Sequence, residues 1–414
     1  MSPVIGVDGA WVRPGEVLVD TAFEDRIADR LRELGGRPYV PSGDEGDWRQ
    51  HPLAPEYGDV NARLDEAELG CRLWVGFSTR RAVDLVRKRK LPGVHFNSVF
   101  FGESILGYYQ GGPKGFAMPI PGPPQPPTPY TGGSTVNVGV FDTGMPDQWK
   151  THYPALANTV DVGSTTPPDL DPVGSNMVVA LHGCHGLFIC GLIARQHREL
   201  GIESRRVIHL TGEVDDVKAG LAIVASNAAV LNLSFGGYLP GNSISIALGN
   251  AVNHAVQNDQ VLVAAAGNDG SHRKESADHN RPFWPAAHSA VIAVGAFDST
   301  NNDLAPFTNR ADVYAPGVGL FSMHAKEPQG WHNPPGGQNP PGVYQGWAKW
   351  SGTSFATPVV AAEIAYETAG STGSRRLAAQ KWLMKQHEIP NWPGKLGTAM
   401  KGRQMDPAPV LTQW

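Results

Sequence analysis

Four side chains that could take part in covalent chemistry lie next to apolar runs of the sequence. Asp142 and Asn268 come at or just after the end of such a run, whereas His185 and Ser354 come just before one. Each feature alone is common, because aspartate and asparagine are ordinary turn formers. A carboxylate, an imidazole, an amide and a hydroxyl are together the groups that acyl transfer by a serine nucleophile requires. The interpretation therefore depends on elements that bring them together.

Those elements are predicted by the alternation of strand-like and helix-like patterns after residue 135. The predicted strands are 136–141, 207–210, 230–233, 261–266 and 291–294. The predicted helices between them include 215–227 and 243–257. This succession predicts an α/β fold with a mostly parallel sheet and helices on both faces. In such sheets the chemistry collects at the carboxyl ends of the strands, where Asp142 and Asn268 lie.

The first hundred residues have a different organisation. Residues 16–40 and 71–101 each show a strand–helix–strand pattern, with Ser78 as a candidate cap of the second helix, and predict a small α+β, ferredoxin-like domain. The proline run at 118–129 favours extended polyproline structure and marks a boundary. The predicted domains are 1–112, a Pro/Gly-rich linker at 113–133, and 134–414.

Composition argues against two classes of function. The chain has 414 residues, of which 41% are hydrophobic and 18% charged, as in globular proteins of two domains. Its net charge of −5 gives no electrostatic reason to bind nucleic acid or an anionic membrane. No stretch approaches the roughly 20 apolar residues that cross a bilayer. We therefore expect neither a nucleic-acid nor a membrane partner.

The compartment is predicted from the first residues and the cysteines. The opening segment lacks a basic flank before an apolar run, so it does not have the pattern of a secretory signal. Cys71, Cys184 and Cys190 are an odd number for a disulfide framework. These features favour a reduced, cytoplasmic protein.

Several segments resemble the signature segments of subtilisin-like serine proteases. They are Asp142-Thr-Gly, His185-Gly, Asn232-Leu-Ser-Phe-Gly-Gly, Ala266-Gly-Asn-Asp-Gly and Gly352-Thr-Ser-Phe-Ala-Thr-Pro. The resemblance covers roughly residues 134–410 in the order of that family. It implies a subtilisin-like fold for this part of the chain and hydrolysis of peptide bonds.

The resemblance also implies a role for each of the four groups. Ser354 would be the nucleophile, His185 the general base and Asp142 the carboxylate that orients the imidazole. Asn268 would donate to the oxyanion beside the backbone amide of Ser354. The protein or peptide substrate would lie along Ser234, Phe235, Gly236 and Gly237 and along Ala265, Ala266 and Gly267.

Two registers fit the histidine segment. Taking His182 as the family histidine places Phe188 where the family has a glycine, whereas taking His185 keeps Gly191 at that point, so we choose His185. A zinc site on His182, Cys184 and His185 is a weaker alternative, because no further ligand group is evident.

Two other features depart from the family pattern. Phe283 falls near the base of the expected primary specificity pocket, where a ring would favour small substrate side chains, although core packing explains it equally well. Residues 326–344 form an insertion directly before the nucleophile segment. It would either overhang the cleft or form a peripheral loop.

The N-terminal domain resembles the inhibitory propeptides of subtilisin-like proteases in pattern. The resemblance implies that this domain is an intramolecular inhibitor whose tail, near residues 105–112, crosses the active site. A permanent accessory domain is the alternative. A catalytically silent binding module is the alternative for the whole chain, and the presence of all four groups argues against it.

We expect no cofactor. Asp298, Asn301, Asn302 and Asp303 form a polar turn, but the sequence offers no compelling loop of oxygen ligands for a structural calcium ion.

Overall fold

A computed structural model describes twelve ranges of the chain. They are 4–40, 59–88, 91–102, 117–122, 136–146, 149–162, 184–208, 212–241, 243–270, 281–326, 344–388 and 403–404. The chain divides into two compact units. The first unit comprises residues 1–100, 213–226 and 237–255, and the second comprises 101–212, 227–236 and 256–414.

The secondary structure of the described residues alternates between strands and helices. The strands are β1 (Ile5–Val7), β2 (Ala10–Asp20), β3 (Arg37–Pro38), β4 (Cys71–Val75), β5 (Val94–Gly102), β6 (Met118–Pro119), β7 (Asn137–Asp142), β8 (Val160–Asp161), β9 (Gly201–Arg206), β10 (Glu213–Asp215), β11 (Val230–Leu233), β12 (Phe235–Gly236), β13 (Val261–Ala265), β14 (Val291–Asp298), β15 (Asp303–Leu304), β16 (Val313–Pro316), β17 (Leu320–Lys326), β18 (Gln345–Trp350), β19 (His387–Glu388) and β20 (Arg403–Gln404). The helices are α1 (Thr21–Glu33), α2 (Val60–Glu66), α3 (Thr79–Arg87), α4 (Trp149–His152), α5 (Pro154–Ala157), α6 (His185–Gln196), α7 (Asp216–Val224), α8 (Ile246–Gln257), α9 (Thr353–Ala369) and α10 (Arg375–Lys385).

The first unit contains a sheet with the strand order β10-β5-β2-β4-β3, in which β2 pairs antiparallel with β1, β4 and β5. Helices α1 and α3 bury apolar residues such as Leu31 and Leu85 in one cluster with Trp74 from β4. Ser78 caps α3 as predicted, since its side chain accepts a hydrogen bond from Arg81 N at 3.4 Å. The expected strand–helix–strand patterns are thus present, whereas α2 was not predicted.

Strand β2 is longer than its sequence predicted. The apolar run Val17–Val19 marked only its end, because Pro14-Gly15 is typical of a turn. The structure accommodates this dipeptide as an irregularity of the β2–β5 pairing: Val12 pairs with Ser98 and Val17 with Phe96. Residues 13–16 therefore stand opposite a single residue of β5, which is a wide departure from a regular ladder.

Helices α7 and α8 are joined at their starts by a buried carboxyl group. Asp216 Oδ1 accepts hydrogen bonds from Ser245 Oγ and from Leu248 N, both at 2.7 Å. Asp216 Oδ2 is buried and has no hydrogen-bond partner among the described residues. Burial raises the pKa of Asp216 to about 7. The folded protein therefore holds a proton that an unfolded aspartate releases near pH 4.

The stability of the protein should consequently fall as this carboxyl group ionises. Between about pH 4 and pH 7 the folded state binds more protons than the unfolded state, so the free energy of unfolding decreases with rising pH, by at most about 1.4 kcal/mol per pH unit from this group. Asp216→Asn keeps an acceptor oxygen and removes the ionisation. Urea unfolding at several pH values should show that the free energy of unfolding of the variant rises relative to that of the wild type toward pH 7. Parallel pH profiles would refute this account.

The second unit is built on a sheet with the order β19-β20-β16-β14-β13-β11-β7-β9-β8. The pairings of β7, β9, β11, β13, β14 and β16 with their neighbours in this order are parallel. The predicted mostly parallel sheet is confirmed, and four of the five predicted strands lie within a few residues of their expected bounds. Helices α6 and α9 pack against each other and contribute to the large apolar cluster of this unit.

The remaining predicted strand, 207–210, was placed too late in the sequence. The strand that follows α6 is Gly201–Arg206, and Val207 and Ile208 come after its end. Their backbone N–H groups donate instead to the carbonyl oxygen of Asp142, at 2.8 and 3.1 Å. The strand lies near the sheet edge, where one face is less buried, so it can contain charged residues. Because of these charged residues its sequence lacks the apolar run by which the other strands were predicted.

Part of the predicted linker belongs to a small antiparallel sheet. Met118–Pro119 pairs with β18, which in turn pairs with β17. A proline is tolerated here because β6 is the edge strand of that sheet. Residues 123–129 of the proline run and the predicted inhibitory tail at 105–112 lie outside the described residues.

None of the helices in the described ranges is both long and apolar enough to span a bilayer. The cytoplasmic location stays a prediction.

Candidate active site

Asp142 is the last residue of β7, at the carboxyl end of a central strand of the second unit. Its side chain is fully buried. One carboxylate oxygen accepts a hydrogen bond from the backbone N–H of Thr143 at 2.7 Å. The carboxylate is thereby fixed at the turn that the sequence predicted after this strand.

His185 is the first residue of α6, and its imidazole lies directly against this carboxylate. The Nδ1 atom is 2.7 Å from Asp142 Oδ1 and 2.9 Å from Oδ2. An ionised carboxylate only accepts hydrogen bonds, so Nδ1 carries the hydrogen and the neutral ring presents Nε2 as an acceptor. Nε2 is buried and has no hydrogen-bond partner within the described part of the chain.

The glycine after the histidine is required by close packing. A Cβ atom on Gly186 would lie 2.5 Å from the carbonyl oxygen of Gly144. The backbone N–H of Gly186 also donates to Thr143 Oγ1 at 2.9 Å. Thr143 therefore links the strand that carries Asp142 to the helix that carries His185, a function that its place in the Asp-Thr-Gly segment could have suggested.

Ser354 is the second residue of α9, in the first turn where backbone N–H groups lack partners within the helix. Its Oγ donates to the carbonyl oxygen of Ser234 at 3.3 Å, and Ser234 Oγ donates to the carbonyl oxygen of Ser354 at 2.8 Å. Asn232 Nδ2 donates in turn to Ser234 Oγ at 2.9 Å. The serine segment is thus tied to the residues after β11, while its hydroxyl points to an acceptor other than His185.

Asn268 lies just beyond β13, and its amide is oriented by the nucleophile segment. Asn268 Oδ1 accepts a hydrogen bond from the backbone N–H of Thr353 at 3.0 Å. Since the oxygen is engaged, the amide nitrogen is the end that can donate to a ligand. The Gly267 N–H donates to Thr353 Oγ1 at 3.3 Å, a second link between the two segments.

The predicted substrate-binding segment forms a short strand that already has a partner. In β12, Phe235 pairs with Gly102 and Gly236 with Phe101, in antiparallel orientation. On the other side, the Gly102 N–H donates to the carbonyl oxygen of Gly212 at 3.1 Å. Phe101 and Gly102, the last residues of β5, belong to the second unit and lie between these two backbone segments of the same unit. Gly237, predicted with this segment, belongs to the first unit.

Phe283 packs against the other predicted substrate-binding segment. Its N–H donates to the carbonyl oxygen of Ala266 at 2.9 Å, and its ring is buried. A Cβ on Gly267 would lie 2.7 Å from Phe283 Cδ2, and the φ angle of Gly267 is +112°. Only glycine fits at that position, because of both the ring and the backbone conformation. Ala265, the last residue of β13, is fully buried.

Aromatic rings surround the imidazole, which the sequence reasoning did not foresee. Trp350 meets His185 edge to face, with ring centroids 5.6 Å apart, and Phe355 lies at 5.1 Å. Trp350 precedes the nucleophile segment and Phe355 lies within it, so their proximity to Ser354 in sequence was the available signal. Asp142, His185 and Ser354 each have 0% of their surface exposed. The three side chains are therefore fully buried in this structure.

His182, the rival histidine and zinc candidate, lies outside the described residues, as do residues 327–343 of the insertion. In the candidate calcium turn, Asp298 Oδ1 accepts from Thr300 N at 2.9 Å, and Asn301 Nδ2 donates to Asp298 Oδ2 at 2.6 Å. Asp298 therefore serves the turn itself.

Comparisons with known proteins point to one family. The model of the Subtilase family matches residues 133–387, more than half of the chain. A Thermophilic serine proteinase from Bacillus sp. (strain AK1) is 32% identical over 340 residues, which cover 76% of this chain and 72% of that protein. Subtilisin amylosacchariticus from Bacillus subtilis subsp. amylosacchariticus is 30% identical over 272 residues, covering 62% of this chain and 61% of the relative.

Among solved structures, the chain is similar to a mutant of the protease domain of PatA. The match has 22% sequence identity and a TM-score of 0.49, and it covers 68% of this chain and 96% of that domain.

Proposed function

Because the chain belongs to the subtilase family, we propose that it is a serine endopeptidase acting through Ser354, His185 and Asp142. The observation that carries the proposal is the buried contact of His185 Nδ1 with the Asp142 carboxylate, at 2.7 and 2.9 Å. This contact fixes the imidazole with Nε2 as the atom that can accept a proton. Ser354 lies at the start of α9, where developing negative charge is stabilised.

The proposed reaction follows from these positions. Ser354 Oγ attacks the carbonyl carbon of a peptide bond while His185 Nε2 takes its proton. The proton passes to the leaving amine as the C–N bond breaks, and water then hydrolyses the acyl-enzyme with His185 again acting as the base. Asp142 stabilises the imidazolium formed in each half. For this step the Ser354 hydroxyl turns from the Ser234 carbonyl, to which it donates at 3.3 Å, toward His185.

Asn268 supports this chemistry as a proposed donor to the oxyanion. Its Oδ1 is held by the N–H of Thr353, one residue before the nucleophile, so its amide nitrogen is oriented without further ordering. Asn268→Ala should lower kcat about 10²–10³-fold with little change in KM, the scale known for the corresponding change in subtilisin. Steady-state hydrolysis of a peptide substrate measures this. Equal activity of variant and wild type would remove Asn268 from the oxyanion site.

Phe283 is proposed to limit the side chain that precedes the cleaved bond. Its ring fills the space beside Gly267, in the segment assigned to substrate binding. Substrates with small side chains should therefore be preferred, and Phe283→Gly should shift the preference toward large aromatic residues by about tenfold or more, because a cavity of aromatic size opens. A peptide library with one varied position reads this out. A wild type that already prefers aromatic residues would contradict the role.

The proposed restraint by the N-terminal domain is supported by the strand pairing at β12. Phe101 and Gly102 pair with Gly236 and Phe235, where an extended substrate would add its strand. The chain thus occupies its own proposed substrate position, and the catalytic side chains are closed to solvent. A permanent accessory role remains the alternative, and processing near this strand distinguishes the two. N-terminal sequencing of the purified protein detects such processing.

A further inference from the structure

The first unit contains a buried ion pair between residues that are 202 positions apart. Arg13 of β2 donates through Nε and one terminal nitrogen to Asp215 Oδ2, both at 3.4 Å. Its other terminal nitrogen lies 3.7 Å from Glu213 Oε1. The three side chains are between 0% and 6% exposed. Charges so deeply buried are stable only in each other's presence.

The irregularity of β2 brings Arg13 into this position. Residues 13–16 stand opposite one residue of β5, and such bulges redirect the side chains that they contain. Gly15 has a φ angle of +74°, and a Cβ there would lie 2.7 Å from the carbonyl oxygen of Phe77. The bulge therefore requires glycine at position 15. Glu16 is held by a hydrogen bond from Asn97 at 2.8 Å.

The acidic residues need a cation at this point. Glu213 and Asp215 place two carboxyl groups within three residues at the start of α7. Asp215 serves two partners, because its Oδ1 accepts from the N–H of Lys218 at 3.0 Å while its Oδ2 faces Arg13. The Asp215 side chain thus caps the start of α7 and also pairs with the Arg13 cation. Without Arg13, Glu213 and Asp215 would keep their burial and lose this cation.

The two sides of the ion pair come from different parts of the protein. Glu213 and Asp215 lie inside the region matched by the Subtilase family model, and Arg13 lies far before it. We propose that Glu213 and Asp215 form the docking site for the N-terminal segment 4–102, with Arg13 as the side chain that the site recognises. A neutral contact accompanies it, since Asn250 Nδ2 of α8 donates to the carbonyl oxygen of Leu69 at 2.8 Å.

The site is selective for a guanidinium. Arg13 reaches two carboxylates from different nitrogens of one planar group, which a lysine ammonium cannot reproduce. Arg13→Lys should therefore lower Tm less than Arg13→Met does, but it should not reach the Tm of the parent. This order of Tm values separates recognition of the planar guanidinium group from attraction to any positive charge.

A double-mutant cycle tests the docking site in the full chain carrying Ser354→Ala, which prevents self-cleavage. Arg13→Met keeps most of the side-chain length, and Asp215→Asn keeps a residue that caps helices. Each single change should lower Tm by on the order of 5 °C or more, since one buried charge loses its partner. The double variant should lose clearly less than the sum of the two. Additive losses would overturn the proposal.

Arg63→Met is the matched control, because Arg63 and Glu66 form an ion pair with 58% and 64% of their side-chain surfaces exposed. Its Tm should stay within about 1 °C of the parent, as is usual for surface pairs. Hydrogen exchange should rise in β2 and in the first turn of α7 for Arg13→Met and not for the control. Equal exchange in the two variants would contradict docking at this site.

The consequence for activity rests on the proposed function and is measured separately. With Ser354 intact, Arg13→Met should hydrolyse a peptide substrate faster than the wild type, because the segment that covers β12 is held less firmly. Coupling between Arg13→Met and Asp215→Asn without an increase in peptide hydrolysis would support the docking site and refute the proposed restraint of activity by the N-terminal domain. Absence of coupling would refute the docking site whatever the activity.

Discussion

Ser354→Ala is expected to abolish peptide hydrolysis, with a fall in kcat on the order of 10⁶-fold. The hydroxyl is the group that forms the covalent acyl intermediate in the proposed reaction, and alanine offers no replacement. The magnitude is that known for loss of the nucleophile in subtilisin, where the remaining catalysis comes from the oxyanion site and substrate binding. The fold should be unaffected, because Ser354 Oγ contributes one weak hydrogen bond, to the Ser234 carbonyl at 3.3 Å.

Ser351 provides the matched control for this change. It directly precedes the nucleophile segment, and its Oγ accepts a hydrogen bond from the N–H of Gly319 at 2.8 Å. Ser351→Ala should keep activity within about tenfold of the wild type and lower stability by about 1 kcal/mol. Both variants can be compared on one fluorogenic peptide. Activity of Ser354→Ala above about 1% of the wild type would show that another residue is the nucleophile.

His185→Ala is expected to have nearly as large an effect, because serine and histidine act as one unit in this chemistry. Asp142→Asn should cost about 10⁴-fold in kcat, since the carboxylate that selects the tautomer of His185 is lost while the geometry is kept. The order of these losses follows from the structure: the imidazole moves the proton, and the carboxylate acts through it at 2.7 Å.

His182→Ala separates the two registers of the histidine segment. On our account this variant should retain activity within about tenfold of the wild type, because the contact with Asp142 is made by His185. The same peptide assay applies to both histidine variants. Loss of activity in His182→Ala with retention in His185→Ala would reverse the assignment.

Much of the second unit could be predicted from local pattern. The strand before Asn268 is a continuous apolar run, and the strand that ends at Asp142 is buried from Val138 onward, as is typical of strands buried on both faces. Residue order placed the four chemical groups at strand ends and helix starts. It could not show that the Ser354 hydroxyl donates to Ser234, because side-chain rotation is decided by neighbours that are distant in sequence.

The first unit shows what local pattern misses. Pro14-Gly15 is typical of a turn, and only pairing on both sides of β2 turns it into a bulge within a long strand. The partner of Arg13 is 202 positions away, so no spacing rule relates them. The strand Gly201–Arg206 was missed for a related reason: its charged residues are acceptable because of its position near the sheet edge, and that position is set by tertiary structure.

The central claim is that Ser354 is an activated nucleophile, and reaction with a fluorophosphonate tests it most directly. The serine oxygen displaces fluoride from phosphorus, and intact mass spectrometry detects the adduct. The account predicts one adduct on the wild type, faster labelling of Arg13→Met and none on Ser354→Ala. Absence of an adduct on both the wild type and Arg13→Met, or an adduct that persists on Ser354→Ala, would contradict it.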